Sequence, residues 1–304
     1  LFAGALHVNI NDLADQKLEI GLFASLGVLT STVLVGLTAY LLSSWVGAGL
    51  RPVDCLLFGA LISPTDPIAV LGILKTAGAP KTLETKIAGE SLFNDGIGVV
   101  VFLILLKIAT GDGNITPGFI TLLFVKEVAG GALFGLLTGY AAYRLLKSVN
   151  DYQVEVLITL ALVLGGHALA SSMHISGPIA IVVAGLLIGN RGRRLAMSDI
   201  TREHLDTFWE LVDEILNAIL YVLIGMEVLV LTLRWDYLMA GVIAVPVALL
   251  ARMVSLGIPI RILQKWRSYV PNATLVMTLG GLRGGISVAL ALALPVDCQR
   301  ELIL

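Results

Sequence analysis

From Ile20 to Val46 the chain carries no charged residue. As a helix that run is about 40 Å long, enough to cross the roughly 30 Å hydrocarbon core of a bilayer. Similar apolar runs recur at 53–74, 87–106, 120–145, 154–172, 175–190, 204–232, 237–263 and 272–294, giving nine predicted spans. Inside hydrocarbon every backbone N–H and C=O must be satisfied within the protein, so a chain built of such runs folds as a bundle of helices. The expected fold class is therefore an all-α polytopic membrane protein. A content of 57% hydrophobic and 14% charged residues, with a mean hydropathy of +0.92, excludes a soluble globule. A formal charge of −2, with basic residues spread among the loops, gives no nucleic-acid surface. Cys55 and Cys298 lie far apart without metal-ligand spacing and read as structural thiols. No cofactor is expected.

The distribution of Lys and Arg tests the span count. Alternate connections place thirteen of them on one side (Lys17; Lys75, Lys81, Lys86; Arg144, Lys147; Arg191, Arg193, Arg194, Arg202; Arg261, Lys265, Arg267). The other side holds four, Arg51, Lys107, Arg234 and Arg300. A missed or extra span in the middle would scramble this asymmetry. The positive-inside rule then puts the N-terminus of the chain in the cytoplasm, and a plasma (inner) membrane is expected. Residues 9–19 read as a polar loop and 191–203 as an Arg-rich loop. Both ends stop inside apolar sequence, so the chain is expected to be a fragment that lacks terminal spans.

Two of the spans are interrupted. In Ser63-Pro64-Thr65-Asp66-Pro67 the prolines remove two backbone donors and free the carbonyls of Ala60 and Ser63. They also bias Ser63 and Asp66 away from helical backbone. The last span contains Gly280-Gly281-Leu282-Arg283-Gly284-Gly285, where each glycine weakens a helix. A pair of interrupted spans, one near each end of a long membrane domain, points to an inverted-repeat transporter with its site near the midplane.

Polar residues concentrate around the first break. In the helix 87–106, Glu90 and Asn94 share one face and Ser91 and Asp95 another. Across from them the unwound segment offers free carbonyls, the Thr65 hydroxyl and the Asp66 carboxylate. Hard oxygen donors of this kind suit a small monovalent cation such as Na+, with Asp95 and Asp66 as its acidic ligands. A carboxylate that holds a metal ion must be deprotonated, so Na+ and H+ compete for it. If the protein changes sides only when Asp95 carries one or the other, the result is exchange. Each residue also has a plainer reading. Asp95 could be satisfied by Arg283 or by hydroxyls, and Asp66 could cap the second half of its broken helix. Arg252, in the middle of span 237–263, needs a buried carboxylate partner, and Glu90 is the candidate for a structural ion pair. Arg283 either bonds the carbonyls freed at the second break or offsets site charge. His7, His167, His174 and His204 sit near span ends and read as interfacial. Glu210, Asp213 and Glu214 form a solvated or cavity-lining face.

Five segments in order, SPTDPIAVL, GESLFNDGIGVVVF, FWELVDEILNAILYVLIGME, ALLARMVSLG around Arg252 and GGLRGGISVAL, resemble the sodium/proton exchangers of the NhaP/NHE type among the cation:proton antiporters. The resemblance covers residues 1–304 as one membrane domain. It implies an inverted-repeat antiporter fold with two crossing broken helices, a first core repeat at 20–110, dimerisation helices at 119–232 and an incomplete second core repeat at 237–304. It also implies Na+ and H+ as substrates, the lipid bilayer as surroundings and a homodimer. By motif position Asp95 matches the family's ion- and proton-binding aspartate and Asn94 its neighbour. Thr65, Asp66 and Ser91 match positions at the ion site, and Glu90 matches the partner of Arg252. The Asn-Asp pair is similar to that of the electroneutral branch. Two other readings are a sodium-coupled symporter of organic anions and an intramembrane aspartyl protease. The second expects Tyr-Asp and Gly-x-Gly-Asp contexts, whereas these aspartates follow Thr65 and Asn94.

Overall fold

The computed structural model describes residues 1–304 except 47–48, 112–115, 231–234, 267–268, 271, 296–297, 299 and 301–304; for 45, 46, 68, 69, 75, 230, 236 and 237 it describes the backbone alone. Arg234 and Arg267, two of the loop cations counted above, lie outside the described residues. The helices are α1 (Phe2–His7), α2 (Ile10–Asp15), α3 (Lys17–Val46), α4 (Pro52–Ile62), α5 (Ile68–Thr76), α6 (Lys81–Thr110), α7 (Pro117–Ser148), α8 (Tyr152–Ser172) and α9 (Gly177–Leu187). After a π-helical turn at Ile188–Gly192 come α10 (Arg193–Leu195), α11 (Asp199–Val230), α12 (Trp235–Leu263), α13 (Ala273–Leu279) and α14 (Gly285–Leu292). Each predicted span corresponds to one helix or, at the two interruptions, to a pair of shorter ones. Among the described residues five helical segments, Lys17–Ser44, Lys81–Thr110, Pro117–Ser148, Tyr152–Ser172 and Leu238–Leu263, are each long and apolar enough to cross a membrane alone.

Two expected loops are largely helical. Residues 10–15 form α2 because the Asn9 side chain accepts the N–H of Asn11 at 2.9 Å and caps the turn. The Arg-rich stretch 191–203 is held as a π turn and two helices by its own arginines. Arg193 pairs with Asp206, and Arg202 donates to the carbonyls of Arg193 and Met197 and to Asp199. Gly177-Pro178 starts α9, with Ser176 as its cap and proline in the first turn, where its missing N–H costs nothing.

The chain divides into two compact units, and the boundary falls within α11. The first unit holds Leu1–Gln16 and Thr116–Ala218. Here α7 carries glycines at 131, 135 and 139, one face of the helix at four-residue spacing. A Cβ at these positions would lie 2.6 Å from the Ser176 carbonyl, 2.3 Å from the Ala180 carbonyl and 2.9 Å from the Ala184 Cα. The constant offset of 45 residues means that α7 and α9 run parallel in contact backbone to backbone, the small-residue packing that membrane helices favour. Asn190 latches the N-terminal segment, donating to Val8 and Leu186 carbonyls and accepting the Ile10 N–H. The apolar core of this unit gathers Phe2, Leu6, Leu146, Ile188, Leu205 and Trp209. Trp209 Nε1 donates to Thr159 Oγ1 at 3.1 Å, which satisfies its single buried donor.

The second unit holds Lys17–Ile115 and Ile219–Leu304. Its core is Phe23, Leu83, Ile87, Leu256, Ile260, Leu263 and Met277, contributed by α3, α6, α12 and α13. Close approach again depends on glycine. A Cβ on Gly59 of α4 would sit 2.3 Å from the Thr32 carbonyl of α3, and one on Gly89 of α6 would meet Ile20 at 2.6 Å. Both interrupted helices belong to this unit.

Candidate functional site

The first interruption separates α4 from α5 and the second separates α13 from α14, and the two meet. The Asp66 N–H donates to the Leu282 carbonyl at 2.7 Å, forming a single antiparallel bridge. A donor and an acceptor released from helical geometry thus satisfy one another, as buried backbone requires. The glycines of the second break make this approach possible. A Cβ on Gly284 would fall 2.5 Å from Asp66 Cβ, and one on Gly281 would fall 2.0 Å from Arg252 Nε. Arg283 Nη1 donates to the Gly281 carbonyl at 2.8 Å. On the other side, Pro64 occupies the space where Gly98 of α6 has no side chain.

α6 lies against the first break with its polar stripe inward. Asn94, fully buried, donates from Nδ2 to Thr65 Oγ1 at 2.9 Å and to Glu90 Oε1 at 2.7 Å. Its Oδ1 receives the Thr65 N–H at 3.4 Å. The Ser91 hydroxyl donates to the Thr65 carbonyl. Ser63, the residue before Pro64, donates to the Gly59 carbonyl at 2.6 Å and shares a 3.2 Å hydrogen bond with Thr32 of α3. Glu90, 2% exposed, takes two bonds from Arg252, Nη1 to Oε1 at 3.1 Å and Nη2 to Oε2 at 2.9 Å. This bidentate, charge-assisted pair stands one turn from Asn94.

Asp95 is treated differently. Its side chain is half-buried, and among the described residues no hydrogen bond or ion pair engages its carboxylate. Thr65, Asp66, Glu90, Ser91, Asn94, Arg252 and Arg283 are therefore brought together around the two breaks, with Asp95 beside them. The four histidines lie elsewhere. His204 stacks on Tyr152 at 4.2 Å, and His7 stands 4.0 Å from both Asp206 and Glu210.

Two buried charges lie where the sequence suggests loops, Lys86 and Glu19, the second of which falls in the expected polar loop 9–19 but is 1% exposed in the first turn of α3. Lys86, counted with the loop cations, is 6% exposed within α6. Its Nζ lies 3.8 Å from Glu19 Oε1 of α3 and 4.0 Å from the centre of the Tyr269 ring. The available signal was its position, four residues before Glu90 on the same stripe.

The model of the family described as sodium/hydrogen exchanger, transmembrane, matches residues 1–302. The chain belongs to the sodium/hydrogen exchanger family. It is 52% identical over 308 residues to the Na(+)/H(+) antiporter NhaP of Pseudomonas aeruginosa, covering 100% of this chain and 73% of the relative. To the Na(+)/H(+) antiporter NhaH of Halobacillus aidingensis it is 34% identical over 307 residues, covering 98% and 73%. Its fold matches that of the sodium proton antiporter MjNhaP1 from Methanocaldococcus jannaschii with a TM-score of 0.77 at 19% identity, over 95% of this chain and 69% of that one. The exchanger is thus an all-α, multi-pass integral membrane protein with the antiporter fold, and a transporter rather than an enzyme.

Proposed function

We propose that this exchanger moves Na+ against H+ by alternating access, with the Asp95 carboxylate as the group that the two ions share. The observation that carries the reading is the contrast between Asp95 and its neighbours. Thr65, Ser91, Asn94, Glu90 and Arg252 spend their polar groups on one another, while the Asp95 carboxylate has no such bond among the described residues. Asp66, whose N–H is held by Leu282, is the second acidic ligand, and Thr65 and Ser91 supply oxygens to the ion directly or through water. Asn94 supports the site by holding the broken helix, and Arg283 by bonding its own break.

Charge supports a 1:1 exchange. Glu90, Asp66 and Asp95 stand against Arg252 and Arg283, so one monovalent cation or one proton makes the set neutral. A site that is neutral with either ion crosses the membrane without moving net charge, which makes the exchange electroneutral. Segments 20–110 and 237–304 act as the two core repeats and 119–232 as the dimerisation helices of a homodimer. The grouping of 17–115 with 219–304 into one compact unit supports joining the two repeats in one core, and it takes 219–232 with them. The protein resides in the inner membrane with the N-terminus of this chain in the cytoplasm, an orientation that the loop charges favour.

The test uses the full-length protein in vesicles with an imposed pH gradient. Addition of Na+, or of Li+ or K+ if either is carried, collapses the gradient, and Asp95→Asn abolishes the effect. Exchange that persists in Asp95→Asn removes Asp95 from the site. An end point that moves with membrane potential refutes the 1:1 stoichiometry.

A further inference from the structure

One turn before Glu90 on α6, Lys86 is buried between the core residues Leu83 and Ile87. A charge inside a membrane helix is costly, so its partners indicate what it does. Its Nζ lies 3.8 Å from Glu19 Oε1 of α3, itself buried, and 4.0 Å from the centre of the Tyr269 ring. Neutralising one another does not account for the trio, because two apolar side chains of similar volume would join α3 to α6 as well. The hold on the ring is what the ammonium adds. Tyr269 stands four residues before α13, the first half of the second broken helix.

That half-helix depends on contacts beyond itself. Ala273–Leu279 has seven residues, well below the length at which a helix persists alone. Its N-cap, Asn272, has left-handed backbone with φ of 60° and makes no side-chain cap. Leu275 and Leu279 are exposed, and the face with Ala273, Met277 and Thr278 is buried. The far end of α13 is held from α6 through Arg252, which binds Glu90 in bidentate fashion and fills the space where Gly281 has no side chain. The near end is held from the same stripe of α6, through Lys86 and Tyr269. Lys86 and Glu90 stand about 6 Å apart along the helix, so one face of α6 grips α13 at both ends.

We propose that Glu19, Lys86 and Tyr269 form a clamp that positions the second broken helix for ion exchange. Glu19 fixes the ammonium, the ammonium holds the ring, and the ring fixes the start of α13. The second break then stands where Gly284 faces Asp66 and the Leu282 carbonyl accepts the Asp66 N–H. All three are positioning residues and none is an ion ligand. The effect on transport rests on the Na+/H+ reading, whereas the effect on α13 does not.

The experiment uses the full-length protein. Hydrogen–deuterium exchange at the amides of 273–281 reads the clamp, and the apparent KM for Na+ in vesicles reads its consequence. Loss of a desolvated cation–π contact corresponds to about tenfold in an equilibrium. Tyr269→Leu removes the ring, and Glu19→Gln/Lys86→Met removes the pair without stranding a charge. Each is expected to speed exchange of these amides about tenfold and to raise KM by a similar factor, with the maximal rate within about twofold of the parent. Tyr269→Phe keeps the ring and is expected to restore both readings. The proposal is overturned if the α13 amides keep parental protection in both variants, or if protection falls equally along α3, α6 and α12. It is also overturned if Tyr269→Phe behaves as Tyr269→Leu does, or if α13 loosens while KM stays parental. A parent protein that carries no Na+ refutes the exchange reading instead, and the amide measurement still decides the clamp.

Discussion

Neutralising Glu90 is expected to destabilise the exchanger far more than it alters the ion ligands. Glu90 is 2% exposed and Arg252 6%. The Glu90 carboxylate receives Arg252 at 3.1 and 2.9 Å and Asn94 at 2.7 Å. Glu90→Gln keeps an acceptor for Asn94 but strands the guanidinium in the core and turns an amide N–H₂ towards it. Breaking a buried pair by removing one partner costs about 3–5 kcal/mol. At 1.4 kcal/mol per decade this lowers the folding equilibrium by two to four orders of magnitude. Against a typical margin of about 5–15 kcal/mol, the variant stays folded but melts early. Arg252→Met leaves Glu90 stranded and costs a similar amount. In Glu90→Gln/Arg252→Met no charge is stranded and Asn94 keeps its acceptor, so most of the loss returns, with a coupling of about 2 kcal/mol or more. Equilibrium unfolding of the four proteins in one detergent measures the cycle, and sodium-driven proton exchange in vesicles shows partial activity for Glu90→Gln. The reasoning fails if Glu90→Gln unfolds within about 0.5 kcal/mol of the parent, or if the double variant is no more stable than Arg252→Met.

Two further outcomes rest on close backbone approach. Gly281→Ala places a methyl 2.0 Å from Arg252 Nε and Gly284→Ala places one 2.5 Å from Asp66 Cβ, so both breaks must shift and exchange in vesicles should fall at least tenfold; parental rates would show that the second break does not need glycine. Gly135→Ala meets the Ala180 carbonyl at 2.3 Å and should cost about 1–3 kcal/mol by forcing α7 from α9, whereas Gly21→Ala, with nothing within 4 Å, should be neutral or stabilising by up to about 1 kcal/mol; equal melting temperatures would refute the parallel α7–α9 contact.

The helices and both interruptions were legible because length, apolar run and the Pro64–Pro67 and Gly280–Gly285 patterns act locally on the backbone. The pairing of Asp66 with Leu282 was not, since a backbone bond between residues more than two hundred positions apart leaves no mark on either side chain. Helical periodicity explains the rest of the division. Lys86, Glu90 and Asn94 stand four apart on α6, and each is tied to a different element: Glu19 of α3, Arg252 of α12 and Thr65 at the first break. Sequence reasoning found the last two members of that stripe and assigned the first to a loop, because a lysine near a helix end ordinarily reaches water. Asp95 follows Asn94 directly, yet one residue turns the side chain about 100° round the helix and off the stripe. Three ties fix the rotation of α6, and that rotation leaves the Asp95 carboxylate outside the network they form. Asn94 and Asp95 are adjacent in sequence, but one is committed to holding the fold and the other is the group we propose for the ion.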